Sequence, residues 1–282
     1  MRGRIVNIAF LLLKEPPFRR LVKPVVKALP FSIRTKSFWD AANRPHYIYG
    51  VLQAVDQAII ERHTAVSVVE FGVGEGDGLL ALEQYAHVVA QETGISIHVY
   101  GFDTGTGMPQ GTGDYRDHPD VWKASDFQMN SSVLRQQLRR STTLVLGDVA
   151  ATVRTQSIAA PIGFMALDLD FYSSTAAALK ILLRQDAPHL RRVALYFDDV
   201  DAEYNHQFAG ELLAIKEFNR DSKEVKIDRW RGIQSGRQID WWRGSPTGRP
   251  FPDADWLRQM YLAHDLKAIS AFRSDRPPAK MR

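Results

Sequence analysis

Acidic side chains stand at or just after the end of five apolar segments of strand length. Helical patterns separate these segments, and such alternation is typical of a parallel sheet. Because the carboxyl ends of parallel strands meet at one edge, we expect the acids to lie close together there. A single acid in this place often only caps the next helix, but five in succession indicate a binding site. The acids are Glu70, Asp103, Asp148, the pair Asp168 and Asp170, and the pair Asp198 and Asp199.

The first of these segments runs into a glycine-rich turn, residues 70–78 (EFGVGEGDG). A dinucleotide-binding turn has the pattern G-x-G-x-x-G, but the sixth position is Asp77 counted from Gly72 and Leu79 counted from Gly74. A phosphate-binding loop requires a lysine that does not follow here. The acids in the turn would also repel a pyrophosphate, so the pattern favours a ligand that is cationic or rich in hydroxyls.

The pattern E-x-G-x-G-x-G resembles motif I of the class I methyltransferases that use S-adenosylmethionine (SAM), a ligand with a sulfonium, an ammonium and a ribose diol. The resemblance implies an α/β, Rossmann-like fold, with a mostly parallel seven-stranded sheet, helices on both faces and an N-terminal helical extension. It places Asp103 at the ribose hydroxyls and Asp148 near the adenine amino group. The cofactor-binding residues expected from it are Glu70, Gly72, Gly74, Gly76, Asp103, Thr104 and Asp148.

Three further segments resemble motifs of the macrocin O-methyltransferase family, whose members methylate sugar hydroxyls. Residues 101–109 (GFDTGTGMP) resemble its G-F-D-T-F-x-G-L-P signature, with Gly105 in place of the phenylalanine. Residues 168–175 (DLDFYSST) resemble D-x-D-L-Y-x-S-T, and residues 198–200 (DDV) resemble D-D-Y. The resemblance implies an O-methyltransferase that depends on SAM and Mg²⁺ and acts on a sugar or a related small-molecule or glycan acceptor.

By this resemblance, the metal ligands are Asp170, Asp198 and Asp199. The fourth and fifth strands should be neighbours, which brings their acids together beside the transferable methyl group. Carboxylates packed together raise one another's pKa unless a cation lies between them, and oxygen ligands favour a hard ion such as Mg²⁺. The alternative is that some of these acids cap helices or pair with lysine or arginine.

We expect Asp170, Asp168 and His206 to be the catalytic residues. A sugar hydroxyl is a poor nucleophile at neutral pH, so the site must acidify it and provide a base for its proton. A carboxylate is the expected base. His206, seven residues beyond Asp199, is a second candidate, for which a structural role is the alternative.

Net charge is unevenly distributed along the 282 residues. Residues 1–36 carry a net charge of +8 and residues 271–282 a net charge of +3, so the rest of the chain carries −7. An acidic body argues against nucleic acid as a partner. The basic N-terminal segment suits peripheral contact with an anionic membrane surface, or else it forms a helical cap.

The chain contains no cysteine, which excludes disulfides, zinc–thiolate sites and cysteine nucleophiles. The apolar run Ile8–Leu13 is too short to span a membrane, and a charged, proline-containing stretch follows it where a signal peptide requires small residues. We therefore expect a cytoplasmic location, with membrane association through residues 1–36 as the alternative.

The predicted domain organisation has three parts: a basic helical extension over residues 1–62, a methyltransferase domain over residues 63–270, and a disordered basic tail over residues 271–282. The stretch from Thr104 to Gln128 shows no periodicity. A connection of this length is typical of a lid or a binding loop, and a surface loop without function is the alternative.

Two strands, Val225–Trp230 and Gln238–Trp242, and a last helix, Asp255–Lys267, are predicted towards the C-terminus. The tryptophans on these strands suit packing in the core, against a sugar or against a second subunit, which leaves a homo-oligomer open.

Two other function classes are compatible with these patterns. One is a protein of the same fold that keeps the pocket as a non-catalytic scaffold. The other is a different catalyst on this fold, such as a hydroxylase-like relative, or a methyltransferase that acts on a lipid or a surface polysaccharide. Acids at all five strand ends argue against the scaffold, and turnover of SAM separates the scaffold from the enzyme.

Overall fold

The computed structural model of the chain describes residues 18–111, 113–231, 233 and 255–273, and a seven-stranded sheet organises them. The strand order is β3-β2-β1-β4-β5-β7-β6, with β7 antiparallel to both of its neighbours and the other pairings parallel. This confirms the mostly parallel seven-stranded sheet. The strands are β1 (Ala65–Phe71), β2 (Ser96–Asp103), β3 (Thr142–Leu146), β4 (Ile162–Leu167), β5 (His189–Phe197), β6 (Val225–Arg229) and β7 (Met260–Asp265).

Helices cover both faces of the sheet, as predicted. They are α1 (Phe18–Ala28), α2 (Ile33–Phe38), α3 (Pro45–Ile60), α4 (Asp77–Thr93), α5 (Ser131–Gln137), α6 (Val149–Thr155), α7 (Tyr172–Ala178), α8 (Gly210–Asp221) and α9 (Leu266–Ala271). One apolar core lies between the sheet and α2 to α5, and a second lies between the sheet and α6 to α8. Among the described residues, no helix combines the length and the apolar composition needed to cross a bilayer.

The central strands β1 and β4 are the most deeply buried part of the sheet. All six residues of β4 are buried, and so are six of the seven in β1. Parallel strands covered on both faces have this nearly continuous apolar composition rather than a polar and apolar alternation. These two strands therefore give the sheet edge above them a fixed backbone position.

The helix α3 packs directly on the sheet, although it falls within the predicted N-terminal extension. It begins at Pro45, which suits the first helical position because its missing N–H would have no partner there. A Cβ on Gly50 would lie 2.4 Å from the Phe164 ring, so the helix approaches β4 closely. The membrane contact through residues 1–36 stays a prediction, and residues 1–17 lie outside the described residues.

The predicted helix Asp255–Lys267 is wrong. A short 3₁₀ helix (Asp255–Arg258) leads into β7, and α9 follows it. The segment pairs with β5 on one side and with β6 on the other, and these two hydrogen-bond ladders outweigh its local helical pattern. The strand predicted at Val225–Trp230 is confirmed as β6, whereas Gln238–Trp242 lies outside the described residues.

The turn after β1 depends on the missing side chain of Gly72. This residue has a φ of +80°, and a Cβ placed on it would lie 1.7 Å from the backbone oxygen of Asp168 at the end of β4. Gly74 also has a positive φ, of +52°, but nothing lies within 4 Å of its Cβ position. Gly72 therefore allows the two central strand ends to meet, while Gly74 faces open space.

Replacing Gly72 with alanine should destabilise the protein strongly, because a backbone oxygen occupies the position of the new methyl group. We expect Gly72→Ala to lower the free energy of unfolding by ~3 kcal/mol or more and Gly74→Ala, the matched control, by only about 1–2 kcal/mol for its left-handed backbone. Urea denaturation measures both. Equal losses in the two variants would contradict the close approach of β1 and β4.

Candidate functional site

A cavity of about 590 Å³ opens at the carboxyl edge of the sheet, above the ends of β1, β2 and β4. The chain leaves β1 towards β2 on one side and returns to β4 on the other, and ligands of open α/β sheets bind at such a reversal of strand order. The charged residues that line the cavity are Arg44, Glu75, Asp77, Asp103, Asp148, Asp168, Asp170, Asp198 and Asp199.

Asp103 organises the glycine turn as well as lining the cavity. Its Oδ2 accepts the backbone N–H groups of Val73 at 2.9 Å and Gly74 at 3.0 Å, and its Oδ1 accepts that of Gly105 at 2.6 Å. Charge-assisted bonds of this kind fix the turn against the end of β2. Asp103, the residue predicted to bind the ribose, therefore also supports the turn structurally.

Asp148 and Thr104 have local hydrogen bonds at the same edge. The carboxylate of Asp148 accepts the N–H groups of Ala150 and Ala151 and so caps α6, while the residue also lines the cavity. The Thr104 hydroxyl donates to the backbone oxygen of Gly107 at 2.7 Å. Asp148 thus caps a helix, which was the alternative role for a single acid at a strand end. The same residue also lines the cavity.

Glu70 lies beneath the turn rather than in the cavity wall. Its Oε1 accepts the Tyr47 hydroxyl at 2.5 Å, and a Cβ on Gly78 would come within 2.0 Å of the same oxygen. Burial raises the pKa of Glu70 to about 8, although the hydrogen bond from Tyr47 acts in the opposite direction. Glu70 was expected to bind the cofactor, and in the structure it supports the turn from the protein interior.

The side chains of Asp168, Asp170 and Asp199 meet in a carboxylate cluster, in which one oxygen of each lies within 4.8 Å of the others. Burial is the main cause that raises the pKa of each carboxyl, and the negative charge of neighbouring carboxylates raises it further. Asp199 Oδ2 is buried without a hydrogen-bond partner among the described residues. Three carboxylate oxygens at this spacing suit a small divalent cation.

The membership of this cluster differs from the predicted metal set. Asp198 lies outside it, because its carboxylate accepts the Tyr196 hydroxyl, and Asp168 takes its place. Asp170 reaches the cluster from a left-handed backbone conformation with a φ of +57°. Asparagine and aspartate tolerate that conformation better than other non-glycine residues, which fits an aspartate at this position.

No protein-family model matches the chain, and no curated protein matches it either. Its fold is similar to that of CalS11, a calicheamicin methyltransferase, with a TM-score of 0.50 at 16% identity over 89% of this chain and 93% of that chain. The chain has the class I methyltransferase fold. An apo structure of CalS11, a TDP-rhamnose 3′-O-methyltransferase, has a TM-score of 0.40 at 18% identity over 89% of this chain and 95% of that one. The O-methyltransferase NovP has a TM-score of 0.47 at 18% identity over 63% of this chain and 74% of that one.

Two residues of this methyltransferase fold that sequence reasoning missed hold Asp199 in place. The Tyr204 hydroxyl donates to Asp199 Oδ1 at 2.6 Å, and Glu211 Oε2 accepts the backbone N–H of Asp199 at 3.0 Å. Glu211 is fully buried, and burial holds its pKa well above the ordinary value. No sequence signal identified them, because Tyr204 lies in an irregular segment and Glu211 begins an ordinary amphipathic helix.

His206 does not line the cavity. It is exposed, its Nδ1 accepts the backbone N–H of Phe208, and its ring contacts the buried His118 at a centroid distance of 5.7 Å. A second histidine, His46, stacks on the Tyr196 ring at 4.0 Å, and burial lowers its pKa to about 3. The structure thus places the predicted catalytic histidine outside the group of acids.

The long loop after β2 forms one wall of the cavity. Asp117 accepts the backbone N–H and the hydroxyl of Ser173, which fixes the loop to the start of α7. Trp122 lines the cavity and lies 5.8 Å from both Phe127 and Tyr204 between ring centroids. The loop thus brings an aromatic wall close to Asp199, the residue that Tyr204 contacts.

Replacing Glu70 with glutamine should flatten the pH dependence of stability. The folded protein keeps the Glu70 proton up to about pH 8, whereas the unfolded chain loses it near pH 4.5. Stability therefore falls as the pH rises between these values, by up to ~1.4 kcal/mol per pH unit from this group. Glu70→Gln keeps an acceptor for Tyr47 and removes that fall.

Urea denaturation from pH 5 to pH 8 measures this effect. The advantage of Glu70→Gln over the wild type should grow with pH, while Glu75→Gln, in the exposed part of the same turn, should parallel the wild type. Parallel curves for all three proteins would show that Glu70 is already ionised when buried.

Proposed function

We propose that the protein is a SAM-dependent O-methyltransferase that acts on a hydroxyl of a sugar or a related small-molecule or glycan acceptor. The observation that carries the proposal is the charge of the cavity, whose lining contains eight acids and one arginine. A cavity so acidic repels dinucleotides and phosphates and attracts a ligand with a sulfonium and an ammonium. The position at the reversal of strand order is where this fold binds ligands.

The cofactor half of the cavity lies between the glycine turn and the ends of β2 and β3. Asp103 and Asp148 line the cavity, and their carboxylates are suited to ribose hydroxyls and to an adenine amino group, respectively. Gly74 leaves open space in which a ligand can approach the backbone. Glu70 supports this half from beneath, through Tyr47 and the start of α4.

The acceptor half contains the carboxylate cluster, which fits Mg²⁺ as a set of buried, mutually repelling oxygen ligands. We assign the ligands as Asp168, Asp170 and Asp199, with Asp198 as a neighbouring negative charge. When bound, Mg²⁺ lowers the pKa of a hydroxyl and fixes its position. The cluster as a whole is thus the candidate for holding the metal.

The residues around the cluster suit removal of a proton from an acceptor hydroxyl. A carboxylate of this edge is the proposed acceptor of that proton. The Tyr204 hydroxyl keeps Asp199 in one orientation. Trp122 offers an apolar face of the kind that packs against a sugar ring, and it shields the reacting atoms from water.

The sugar acceptor is supported by CalS11, which is a TDP-rhamnose 3′-O-methyltransferase. Methyl transfer itself requires in-line alignment of the acceptor oxygen with the methyl carbon and the sulfur. The lining contains the acids that follow β4 and β5 together with the glycine turn after β1, which suits a cofactor and an acceptor that meet in one cavity.

Binding and turnover of SAM test the proposal directly. Calorimetry should show SAM bound in the micromolar range and no competition from NAD or ATP, because the eight acids of the lining outweigh its one arginine and repel a pyrophosphate. Labelled SAM with a mixture of glycans and small metabolites should yield a methylated product. Binding of SAM without any labelled product would favour the scaffold, and binding of NAD in place of SAM would refute the proposal.

Removal of one carboxylate of the cluster should abolish the response to Mg²⁺ but leave the binding of SAM unchanged. We expect millimolar Mg²⁺ to raise the melting temperature of the wild-type protein, since an ion that binds only the folded state stabilises it. Asp199→Asn should lose this shift and most activity, yet bind SAM as before. EDTA should reproduce the loss of activity in the wild type.

Asp201→Asn is the matched control, because Asp201 lies with Asp199 in a short 3₁₀ helix (Asp199–Asp201) but pairs with Arg258 at the surface. It should keep both the Mg²⁺ shift and the activity. Full activity of the wild type in EDTA would leave the carboxylate cluster as a metal-free base.

A further inference from the structure

We infer that Arg44 binds the α-carboxylate of SAM and so fixes the methionine end of the cofactor at the N-terminus of α3. This inference rests on the proposed function and adds a residue that the motifs do not include. Arg44 is the only cationic side chain among the described residues that line the cavity. SAM has one anionic group, and eight acids in the same lining repel it.

The backbone holds Arg44 at a fixed place on the rim of the cavity. The residue has a φ of +48° and immediately precedes Pro45, the first residue of α3. Its guanidinium lies over the Tyr47 ring, with 5.4 Å between Cζ and the ring centroid. Because Tyr47 is itself buried and bonded to Glu70, the arginine stands on a rigid base.

The guanidinium has no ion pair within 4 Å among the described residues, although it is half-buried beside several acids. Burial lowers the pKa of the guanidinium, but the acidic groups beside it, Asp168 and Asp198 among them, raise it above its ordinary value, so it is fully charged. An arginine in such a place has free N–H donors in a fork geometry that matches a carboxylate. The ligand therefore supplies the missing partner.

The glycine turn offers few other donors for the carboxylate. The N–H groups of Val73 and Gly74 already donate to Asp103, and that of Gly76 donates to the backbone oxygen of Val73. Because these N–H groups are already engaged within the turn, Arg44 is the group in the cavity lining that can neutralise an anion. Arg44 lies beside acids that follow β4 and β5. It therefore stands at the end of the cavity away from Asp148, which follows β3 and is the residue proposed to bind adenine.

The test compares SAM with S-adenosylmethioninamine, its decarboxylated form, which keeps the sulfonium and the ammonium. Titration calorimetry should show that Arg44→Gln weakens SAM binding about 10- to 100-fold, the effect of losing a charged hydrogen-bonded pair. The same change should leave the decarboxylated ligand bound as tightly or more tightly, because removal of a cation favours a doubly cationic ligand in an acidic cavity. Only SAM, the ligand that has the carboxylate, should therefore bind more weakly.

Arg34→Gln is the matched control, since Arg34 forms a surface ion pair with Asp56 on the same helical layer. It should change neither affinity. Arg44→Lys keeps the charge and loses the fork, and it should fall between the wild type and Arg44→Gln for SAM. This variant provides the same comparison if Arg44→Gln does not fold.

Equal weakening of both ligands in the Arg44 variants would overturn the assignment, because Arg44 would then only support the shape of the cavity. Unchanged SAM affinity in Arg44→Gln would overturn it as well. If the wild type binds neither ligand, the proposed cofactor is wrong and the inference falls with it. These results are distinguishable, since only the last involves the unmodified protein.

Discussion

Negative charge gathered at one edge of the sheet is the constraint on which the arrangement of the site depends. Parallel strands bring their carboxyl ends together, and here those ends carry acids at β1, β2, β4 and β5, with another just beyond β3. Each acid loses hydration as the edge closes, and each repels the others. The fold accommodates them by three different means, and the difference determines what each acid can do.

Some acids are neutralised by local hydrogen bonds. Asp103 receives three backbone N–H groups, and Asp148 caps α6. In others, Glu70 and Glu211, burial raises the pKa and so favours the protonated form. The third group, Asp168, Asp170 and Asp199, has too few donors for its oxygens, and this deficit makes it the part of the edge suited to bind a cation. Arg44 compensates part of the field without pairing with any one acid.

The fold was largely predictable because its signals are local. The apolar runs of β1 and β4, the helical stretches between strands and the glycine turn all appear within short windows of sequence. The strand β7 was not predictable in this way, since its conformation depends on pairing with β5 and β6, far away in the chain. The prediction of a helix there followed the local pattern, which tertiary pairing overrode.

The sequence predicted which residues lie at the edge of the sheet. It did not predict which of their side chains are in contact. Asp168 and Asp198 stand in similar places after their strands, yet one enters the carboxylate cluster and the other accepts the Tyr196 hydroxyl. The left-handed backbone at Asp170 helps to set this arrangement. The direction in which each side chain points depends on its rotamer and its neighbours, which the spacing of residues in the sequence does not specify.

The loop after β2 and the carboxylate cluster are connected through hydrogen bonds and ring contacts. Asp117 fixes the loop at Ser173, three residues beyond Asp170, and Trp122 contacts the ring of Tyr204. Tyr204 in turn donates its hydroxyl to Asp199. Burial raises the pKa of Asp199, and this hydrogen bond opposes the effect of burial by favouring the ionised form. A loop that is distant from β5 in the chain thus supports the charged form of Asp199, which is the form in which a carboxylate binds a cation.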